Sequence, residues 1–246
     1  MSLQLFCLPH SGASAMVYAR WRRLLPDWIE VRPVELPGRG RRFDEPFATD
    51  LRHLAHQLAA EIAPATARAY ALFGHSLGAL LALEMAHALN EQGAPAPRAL
   101  LASGTEAPTR RNDAELRGTL TDASLTDASL IARLRSLGGT APAVLEDAEL
   151  LALTLPVLRA DFHLCGHYQP LARPPLNCSL HVFAGREDDA SEAVMQAWRQ
   201  ETRGAFSLDW FPGDHFFINS QESEVLGVLV AHLQAAVATA GEAKPA

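Results

Sequence analysis

The segment Gly74-His75-Ser76-Leu77-Gly78 decides the interpretation of this sequence, because it places a serine at a predicted strand-to-helix junction. The apolar run Ala69–Phe73 before it has strand character, and the stretch Ala79–Ala86 after it has helical composition. Glycines two positions on either side of the serine allow a turn so tight that a Cβ atom would clash with neighbouring elements. Such a nucleophile elbow exposes the hydroxyl at a strand end, beside a helix N-terminus that favours negative charge. We therefore predict that Ser76 is a nucleophile.

A nucleophilic serine needs a base and an acid that orients the base, and candidates for both follow predicted strands further along the chain. Asp188 comes shortly after the predicted strand Leu180–Ala184, and His215 follows the predicted strand Ser207–Phe211. The order serine, acid, histidine is the one expected in an α/β-hydrolase sheet. We predict a catalytic set of Ser76, Asp188 and His215. Two neighbours of the chosen acid stay open as alternatives, Glu187 and Asp189.

The oxyanion of the reaction needs two backbone N–H donors, one after the serine and one from a loop near the first strand. Leu77 directly follows the serine and supplies the first donor. The predicted strand Leu3–Leu8 ends in the loop Pro9–Ser14, which lies early enough in the chain to face the elbow. We predict that Ser11 is the second donor, with Gly12 as the alternative.

Predicted strands and helices alternate along the chain, which favours a parallel sheet covered by helices on both faces. The fold class is therefore α/β, and the elbow makes it an α/β-hydrolase with a mostly parallel central sheet. We expect a single domain over residues 1–246, a length sufficient for one sizeable core. The predicted strands are Leu3–Leu8, Ile29–Glu35, Tyr70–Phe73, Ala99–Ser103, Leu180–Ala184 and Ser207–Phe211.

A long connection separates the fourth and fifth predicted strands. It holds about 75 residues without strand character, far more than an ordinary loop. Amphipathic segments within it predict helices over Leu130–Leu137 and Ala148–Leu164. We interpret the insertion, about 107–170, as a helical lid over the active site. The last residues, from about 240 to 246, lack apolar periodicity and are predicted to be disordered.

Charge and composition narrow the partners and the compartment. The formal net charge of −7 argues against a nucleic-acid partner. The chain has no basic start followed by a long apolar run, and no stretch approaches about 18 apolar residues. Three cysteines without paired spacing favour a reducing compartment over a disulfide framework. We expect a cytoplasmic protein that has no membrane partner.

One histidine pair has a spacing that can hold a metal ion. His163 and His167 lie four residues apart on a predicted helix, with Cys165 between them. No third ligand follows at a suitable spacing. We therefore predict no metal site.

Five separated motifs in this sequence resemble those of type II thioesterases, the stand-alone editing enzymes of nonribosomal peptide and polyketide assembly lines. The resemblance covers about Leu5–Leu233. It implies that Ser76, Asp188 and His215 hydrolyse thioesters held on the phosphopantetheine arms of acyl or peptidyl carrier domains. We also expect a monomer that needs no metal or redox cofactor. The motifs are Pro9-His10-Ser11-Gly12, Leu36-Pro37-Gly38-Arg39-Gly40, Gly74-His75-Ser76-Leu77-Gly78, Leu158-Arg159-Ala160-Asp161-Phe162 and Gly213-Asp214-His215-Phe216-Phe217.

Three arginines cluster in the loop after the second predicted strand, at Arg39, Arg41 and Arg42. A guanidinium pairs well with a carboxylate or a phosphate, and the arm of a carrier domain contains a phosphodiester. We expect this arginine patch to dock the carrier. The alternative is a solvated loop whose charge is balanced by nearby acids, Glu35, Asp44 and Glu45.

Three other functions remain open on this sequence. A carboxylesterase or lipase uses the same triad on the same fold. A chain-terminating thioesterase that cyclises its product is a second enzyme, although such domains are usually fused to a synthase. A non-catalytic protein that only binds carrier domains would keep the fold without needing the triad. Comparing acyl-carrier substrates with simple esters separates the first of these from an editing thioesterase.

Overall fold

The structure, a computed structural model, describes residues 2–111, 127–137 and 147–242. Within these ranges six strands form one sheet in the order β2-β1-β3-β4-β5-β6, and every neighbouring pair is parallel. The α/β fold class predicted from the alternation of elements is confirmed. The strands are β1 (Leu3–Leu8), β2 (Ile29–Pro33), β3 (Tyr70–His75), β4 (Ala99–Ser103), β5 (Ser179–Gly185) and β6 (Phe206–Phe211).

Helices cover both faces of this sheet, as the sequence predicted. The elements are α1 (Trp21–Leu24), α2 (Leu51–Ile62), α3 (Leu77–Glu91), α4 (Asp127–Leu137), α5 (Ala148–His167), α6 (Glu192–Gln196), α7 (Phe217–Ser220) and α8 (Glu222–Glu242).

Side chains of each strand alternate between two hydrophobic layers, because successive residues point to opposite faces of a sheet. In β1, Leu3, Leu5 and Cys7 pack with buried residues of α1 and α8. Phe6 and Leu8 of the same strand pack with α2 and α3 on the opposite face. The sheet is therefore buried on both sides, which is why its strands contain nearly continuous apolar runs.

Local capping explains where α2 begins. The Asp50 side chain accepts a hydrogen bond from the His53 amide at 2.7 Å and so satisfies one of the free donors of the first turn. From there Leu51, Leu54 and Leu58 fall on one buried face of the helix. This face packs against α3, the helix that begins directly after the elbow serine.

The insertion between β4 and β5 contributes two helices to the described structure. Both were predicted, and they extend beyond the predicted bounds, α4 toward its N-terminus and α5 toward its C-terminus. They share a small hydrophobic cluster of their own, separate from the two layers of the sheet. Residues 112–126 and 138–146 of the predicted lid lie outside the described residues. The cluster contains Leu130, Leu155, Leu158 and Phe162.

The C-terminal helix α8 reaches Glu242, beyond the predicted start of a disordered tail at about 240. Residues 243–246 of that prediction lie outside the described residues. No helix in the described ranges combines the length and the apolar character needed to cross a bilayer. The three cysteines are buried and are not joined in disulfides.

Candidate active site

Ser76 occupies a strained turn between β3 and α3. Its φ of 55° is the only positive φ of a non-glycine residue in the described chain. Such strain persists only where the surroundings impose it, and it clusters at functional sites. The Ser76 amide donates to the Ser103 carbonyl at 2.8 Å, which ties the turn to the end of β4. Ser76 is partly exposed, whereas His75 and Leu77 are buried, so the turn presents the serine at the surface.

The two elbow glycines are both required by close backbone approach. A Cβ atom on Gly74 would overlap the carbonyl of Gly78, the second residue of α3. A Cβ atom on Gly78 would overlap the carbonyl of Leu8 and would also approach that of Pro9. The N-terminus of α3 therefore lies directly against the end of β1, where the predicted oxyanion loop, Pro9–Ser14, begins.

His215 and Asp188 meet beyond the carboxyl ends of β6 and β5. His215 Nδ1 lies 2.9 Å from Asp188 Oδ2, and both side chains are mostly buried. A carboxylate only accepts, so Nδ1 carries the proton and Nε2 is left as the basic nitrogen. The neighbouring acids have other contacts. Asp189 donates its amide to Asp188 Oδ1 at 2.9 Å and is exposed, and Glu187 accepts from the Gly213 amide at 3.3 Å.

Two backbone amides remain available for an oxyanion. Leu77 is the first residue of α3, and the first amides of a helix have no intrahelical acceptor. Gly12 is not available, because its amide donates to Asp161 Oδ2 at 2.8 Å. The Ser11 amide has no acceptor among the described residues. The geometry therefore favours Ser11 over Gly12 as the second donor.

Two further histidines lie near His215, and burial lowers the pKa of both. The His75 ring lies 5.1 Å from the His215 ring, and its Nδ1 lies 2.9 Å from Ser103 Oγ. Burial, assisted by His215 and His10, holds the pKa of His75 well below its usual value. Burial also lowers the pKa of His10 to about 4, against the raising effect of its hydrogen bond to the Ser11 carbonyl. Neutral rings at both positions add no charge repulsion when His215 becomes protonated.

This geometry agrees with comparisons to known proteins. Residues 3–233 match the thioesterase domain family over nearly the whole chain. The chain belongs to this family. The thioesterase is 37% identical to RedJ, a thioesterase of the prodiginine biosynthetic pathway in Streptomyces coelicolor, with a TM-score of 0.85 and coverage of 94% and 90% of the two chains. It is 36% identical to BorB, a type II thioesterase from the borrelidin biosynthetic cluster, with a TM-score of 0.84 and coverage of 95% and 93%. The family resemblance predicted from the five motifs is confirmed.

A third relative has a name that points to different chemistry. The thioesterase is 39% identical over 234 residues to linear gramicidin dehydrogenase LgrE of Brevibacillus parabrevis, covering 94% of this chain and 87% of that protein. Dinucleotide-binding sites carry a G-x-G-x-x-G fingerprint after a strand. The one glycine pair with that first spacing, Gly38 and Gly40, is followed by Arg41-Arg42-Phe43 and lacks the third glycine. The sequence of this chain therefore contains the hydrolase elbow but not the complete dinucleotide fingerprint.

The prediction that Arg39 belongs to an arginine patch that docks the carrier is wrong. This side chain is only 7% exposed and forms a bidentate ion pair with Asp161, at 2.6 Å and 2.7 Å. Arg42 is engaged as well, because it pairs with Glu45 at 2.6 Å and with Glu61 at 3.1 Å. Only Arg41 of the three is exposed. The patch therefore does not exist as three free guanidinium groups, because two of them balance acids of the same chain.

The structure also gives two acids roles that the sequence analysis did not predict. Asp161 of α5 is fully buried and binds both Arg39 and the oxyanion loop. Glu35, which the sequence suggested as a counter-charge in a solvated loop, is instead buried and accepts the Ala15 amide at 2.9 Å. The available signal for Asp161 was a lone carboxylate within the apolar face of an amphipathic helix, since such a position demands a partner.

The histidine pair considered as a metal site lies on α5. The His163 and His167 rings are 4.1 Å apart, and His167 Nδ1 lies 3.0 Å from the His163 carbonyl, which can only accept a hydrogen bond. The described residues hold no group of three or more His, Cys, Asp or Glu side chains arranged to bind a metal ion.

Proposed function

We propose that this thioesterase removes acyl groups from the phosphopantetheine arms of acyl or peptidyl carrier domains, as a stand-alone editing enzyme of nonribosomal peptide or polyketide synthesis. The similarity to BorB and RedJ, two thioesterases of biosynthetic pathways, supports the setting. The chemistry rests on one observation, the Asp188–His215 pair on the same sheet edge as the strained Ser76 elbow.

Acylation of the serine begins the reaction. His215 Nε2 takes the Ser76 proton as the hydroxyl oxygen attacks the thioester carbonyl, forming the C–O bond. The carbonyl oxygen becomes an oxyanion that accepts hydrogen bonds from the Leu77 and Ser11 amides, and one such donor is worth about 3 kcal/mol. The C–S bond then breaks, and the protonated His215 returns its proton to the departing thiolate. Asp188 holds the imidazole in the tautomer that this sequence of steps needs.

Deacylation repeats the same steps with water. His215 takes a proton from a water molecule as the water oxygen attacks the acyl-enzyme carbonyl. The ester bond to Ser76 breaks, the serine regains its proton from His215, and a carboxylic acid leaves. The catalytic groups all come from this chain and its substrate supplies the phosphopantetheine, so the proposal includes no cofactor. It places the enzyme as a monomer in the cytoplasm, where carrier-bound intermediates are made.

Intact-mass measurement of carrier domains tests this proposal directly. Holo-carrier domains are loaded with a panel of short acyl and aminoacyl groups and incubated with or without the enzyme. We expect the acyl mass to disappear, leaving the holo-carrier and a free acid. Ser76→Ala is the matched control, because it removes the nucleophile from the same turn and should leave the acyl mass in place.

Simple esters and free thioesters separate the alternatives. Rapid hydrolysis of small esters without release from carriers would identify a carboxylesterase and overturn the proposal. Cyclic products in place of free acids would identify a chain-terminating thioesterase. Binding of acyl-carriers with no turnover by the wild-type enzyme would identify a carrier-binding protein.

A further inference from the structure

We infer that Asp161 and Arg39 are positioning residues that hold the oxyanion loop, Pro9–Ser14, in the conformation that aims the Ser11 amide at the reacting carbonyl. The inference rests on the proposed acyl transfer at Ser76 and extends it to a pair of residues far from the triad in sequence. It gives the insertion a catalytic purpose beyond covering the site, because Asp161 belongs to α5.

The contacts form a closed set around the loop. Asp161 Oδ2 accepts the Gly12 amide at 2.8 Å and also Arg39 Nη1 at 2.6 Å. Asp161 Oδ1 accepts Arg39 Nη2 at 2.7 Å. The same Arg39 Nη1 lies 3.3 Å from the Ala13 carbonyl and donates to it. The ion pair therefore binds one donor and one acceptor of consecutive residues in the loop, and a bidentate arginine fixes their relative orientation.

The remaining polar groups around Ser11 are held by other residues of the loop and by Asp161. The peptide that contains the Ser11 amide is fixed through the His10 carbonyl, which accepts the Ala13 amide at 3.1 Å. The next peptide is fixed at both ends, since the Ser11 carbonyl lies 3.0 Å from His10 Nδ1 and the Gly12 amide binds Asp161. Gly12 has a φ of +80°, which permits this turn. The amide of Ser11 is thereby left without an acceptor among the described residues, in a peptide whose orientation is set.

Because the ion pair between Asp161 and Arg39 is buried, we interpret its role as orienting the loop rather than only stabilising the fold. Asp161 is fully buried and Arg39 nearly so. Burying such a pair in place of apolar residues is often neutral or destabilising, because both charges lose their hydration. Attachment of α5 to the loop is already provided by Leu158, whose side chain packs against Gly12. What the charged pair adds is a fixed direction for the Gly12 and Ala13 peptide groups.

A second ion pair, between the buried Glu84 and the largely buried Arg173, provides a matched control. Glu84 of α3 accepts a hydrogen bond from the Tyr168 hydroxyl at 2.7 Å and pairs with Arg173 at 2.5 Å. Both partners follow the C-terminus of α5 in the chain. This pair also ties the insertion to the sheet layers, but it makes no contact with Pro9–Ser14. A substitution at Glu84 therefore perturbs a comparable buried charge without touching the oxyanion loop.

The experiment compares Asp161→Ala, Asp161→Asn, Arg39→Lys and the control Glu84→Gln in the full-length enzyme. An alkyl trifluoromethyl ketone serves as the probe, because Ser76 adds to its carbonyl carbon, the serine proton passes to His215, and the ketone oxygen becomes an oxyanion. Affinity for the matching carboxylic acid product reports ground-state binding. The kcat and KM for a small soluble acyl thioester are measured in parallel, together with thermal unfolding.

For Asp161→Ala we expect kcat to fall about 10- to 100-fold with little change in KM, part of the 100- to 1000-fold lost when an oxyanion donor is removed outright. Affinity for the ketone should fall by the same factor, and affinity for the acid should stay unchanged. Asp161→Asn keeps an acceptor for the Gly12 amide and should rescue part of the loss. Arg39→Lys keeps the charge but loses the bidentate guanidinium contact, so it should also weaken binding of the ketone without weakening binding of the acid. Glu84→Gln should keep the wild-type ratio of ketone to acid affinity.

Equal weakening of ketone and acid in the Asp161 and Arg39 variants would overturn the inference, and so would lower thermal stability with an unchanged ketone affinity. If Asp161→Ala fails to fold, Asp161→Asn and Arg39→Lys carry the test by the same criteria. Failure of the proposed function has a different signature. A wild-type enzyme that binds the ketone and cleaves the small thioester but spares acyl-carriers would remove the carrier assignment and leave the role of Asp161 intact.

Discussion

His215 Nδ1 lies 2.9 Å from Asp188 Oδ2, while the next residue, Asp189, contacts the other Asp188 oxygen only through its backbone amide. The two aspartates are adjacent and chemically identical, yet only one side chain reaches the imidazole. The Asp189 side chain points to solvent. This difference gives a direct test of which acid orients the base.

Asp188→Asn should lower kcat by up to about 10⁴-fold, because an amide at this position favours the wrong histidine tautomer. Asp189→Asn removes an equal charge from the same loop and should have little effect. Steady-state hydrolysis of a small thioester by the two variants checks the prediction. A larger loss in Asp189→Asn would show that the loop adopts a different register in the working enzyme.

Substitutions of Ser76 should test both its role as the nucleophile and the backbone strain of its turn. Ser76→Ala should remain folded and lose hydrolysis by several orders of magnitude, because covalent catalysis disappears. Ser76→Gly should also be inactive but more stable than Ser76→Ala, by about 1–3 kcal/mol, because glycine adopts a positive φ without strain. Chemical denaturation of the two variants measures the difference. Equal stabilities would mean that the turn stores no strain.

The glycine at the start of α3 should be intolerant of a methyl group. In Gly78→Ala the new Cβ would overlap the Leu8 carbonyl, so the turn must shift and both stability and kcat should fall. Gly227→Ala is the control, because Gly227 lies in α8 with open space around its Cβ position. That substitution should raise the free energy of unfolding by about 0.5–1 kcal/mol. Thermal unfolding of both variants, with turnover, tests the pair.

Stability should depend on pH through a cluster between β5, β6 and α8. The His181 ring stacks on the His232 ring at 3.9 Å, and its Nδ1 lies 2.9 Å from Ser207 Oγ. Burial, assisted by His232 and opposed by Asp209, lowers the pKa of His181 to about 4. The unfolded chain therefore binds more protons between about pH 6.5 and 4, and the free energy of unfolding should decrease as the pH falls through this range.

Denaturant unfolding as a function of pH tests this, with His181→Asn as the variant. The variant lacks the titrating ring, so its stability should fall less steeply between pH 6.5 and 4 than that of the wild type. His10 and His87 also have pKa values lowered to about 4, so some pH dependence should persist. An unchanged slope in His181→Asn would show that His181 does not contribute to acid sensitivity.

The docking prediction now concerns Arg41 alone. Arg41→Ala should weaken hydrolysis of acyl-carrier substrates modestly, by the equivalent of less than about 1 kcal/mol, and the loss should shrink as salt is added. A small soluble thioester should be hydrolysed as before. Arg39→Ala should instead impair both substrates, because Arg39 is buried against the oxyanion loop. Equal losses on both substrates in Arg41→Ala would remove Arg41 from the docking surface.

Features encoded within a few consecutive residues could be predicted from the sequence. The strands Leu3–Leu8 and Ala99–Ser103 have the predicted bounds, because each is a short apolar run that a sheet buried on both faces requires. The elbow was predictable for the same reason. The turn, its two glycines and its serine lie within five positions, and the strained geometry of Ser76 follows from that local arrangement.

The identity of the acid depended on the fold of its loop. Glu187, Asp188 and Asp189 are consecutive carboxylates, and nothing in their order distinguishes the one that faces the histidine. The Glu187 backbone amide donates to the Gly213 carbonyl at 3.0 Å. This bond ties the backbone of Glu187 to the loop that precedes His215. Only the resulting turn of the backbone directs the Asp188 side chain to His215.

The sequence by itself determined the sheet and predicted the nucleophile and the chain order of the triad, because these depend on local apolar periodicity and on turn chemistry. Only the tertiary structure decided that Arg39 is buried in an ion pair. In sequence this arginine stands among charged residues of a loop, and its partner Asp161 is 122 residues away. The charge is buried only because α5 returns across the oxyanion loop, and that long-range packing has no counterpart in any local pattern.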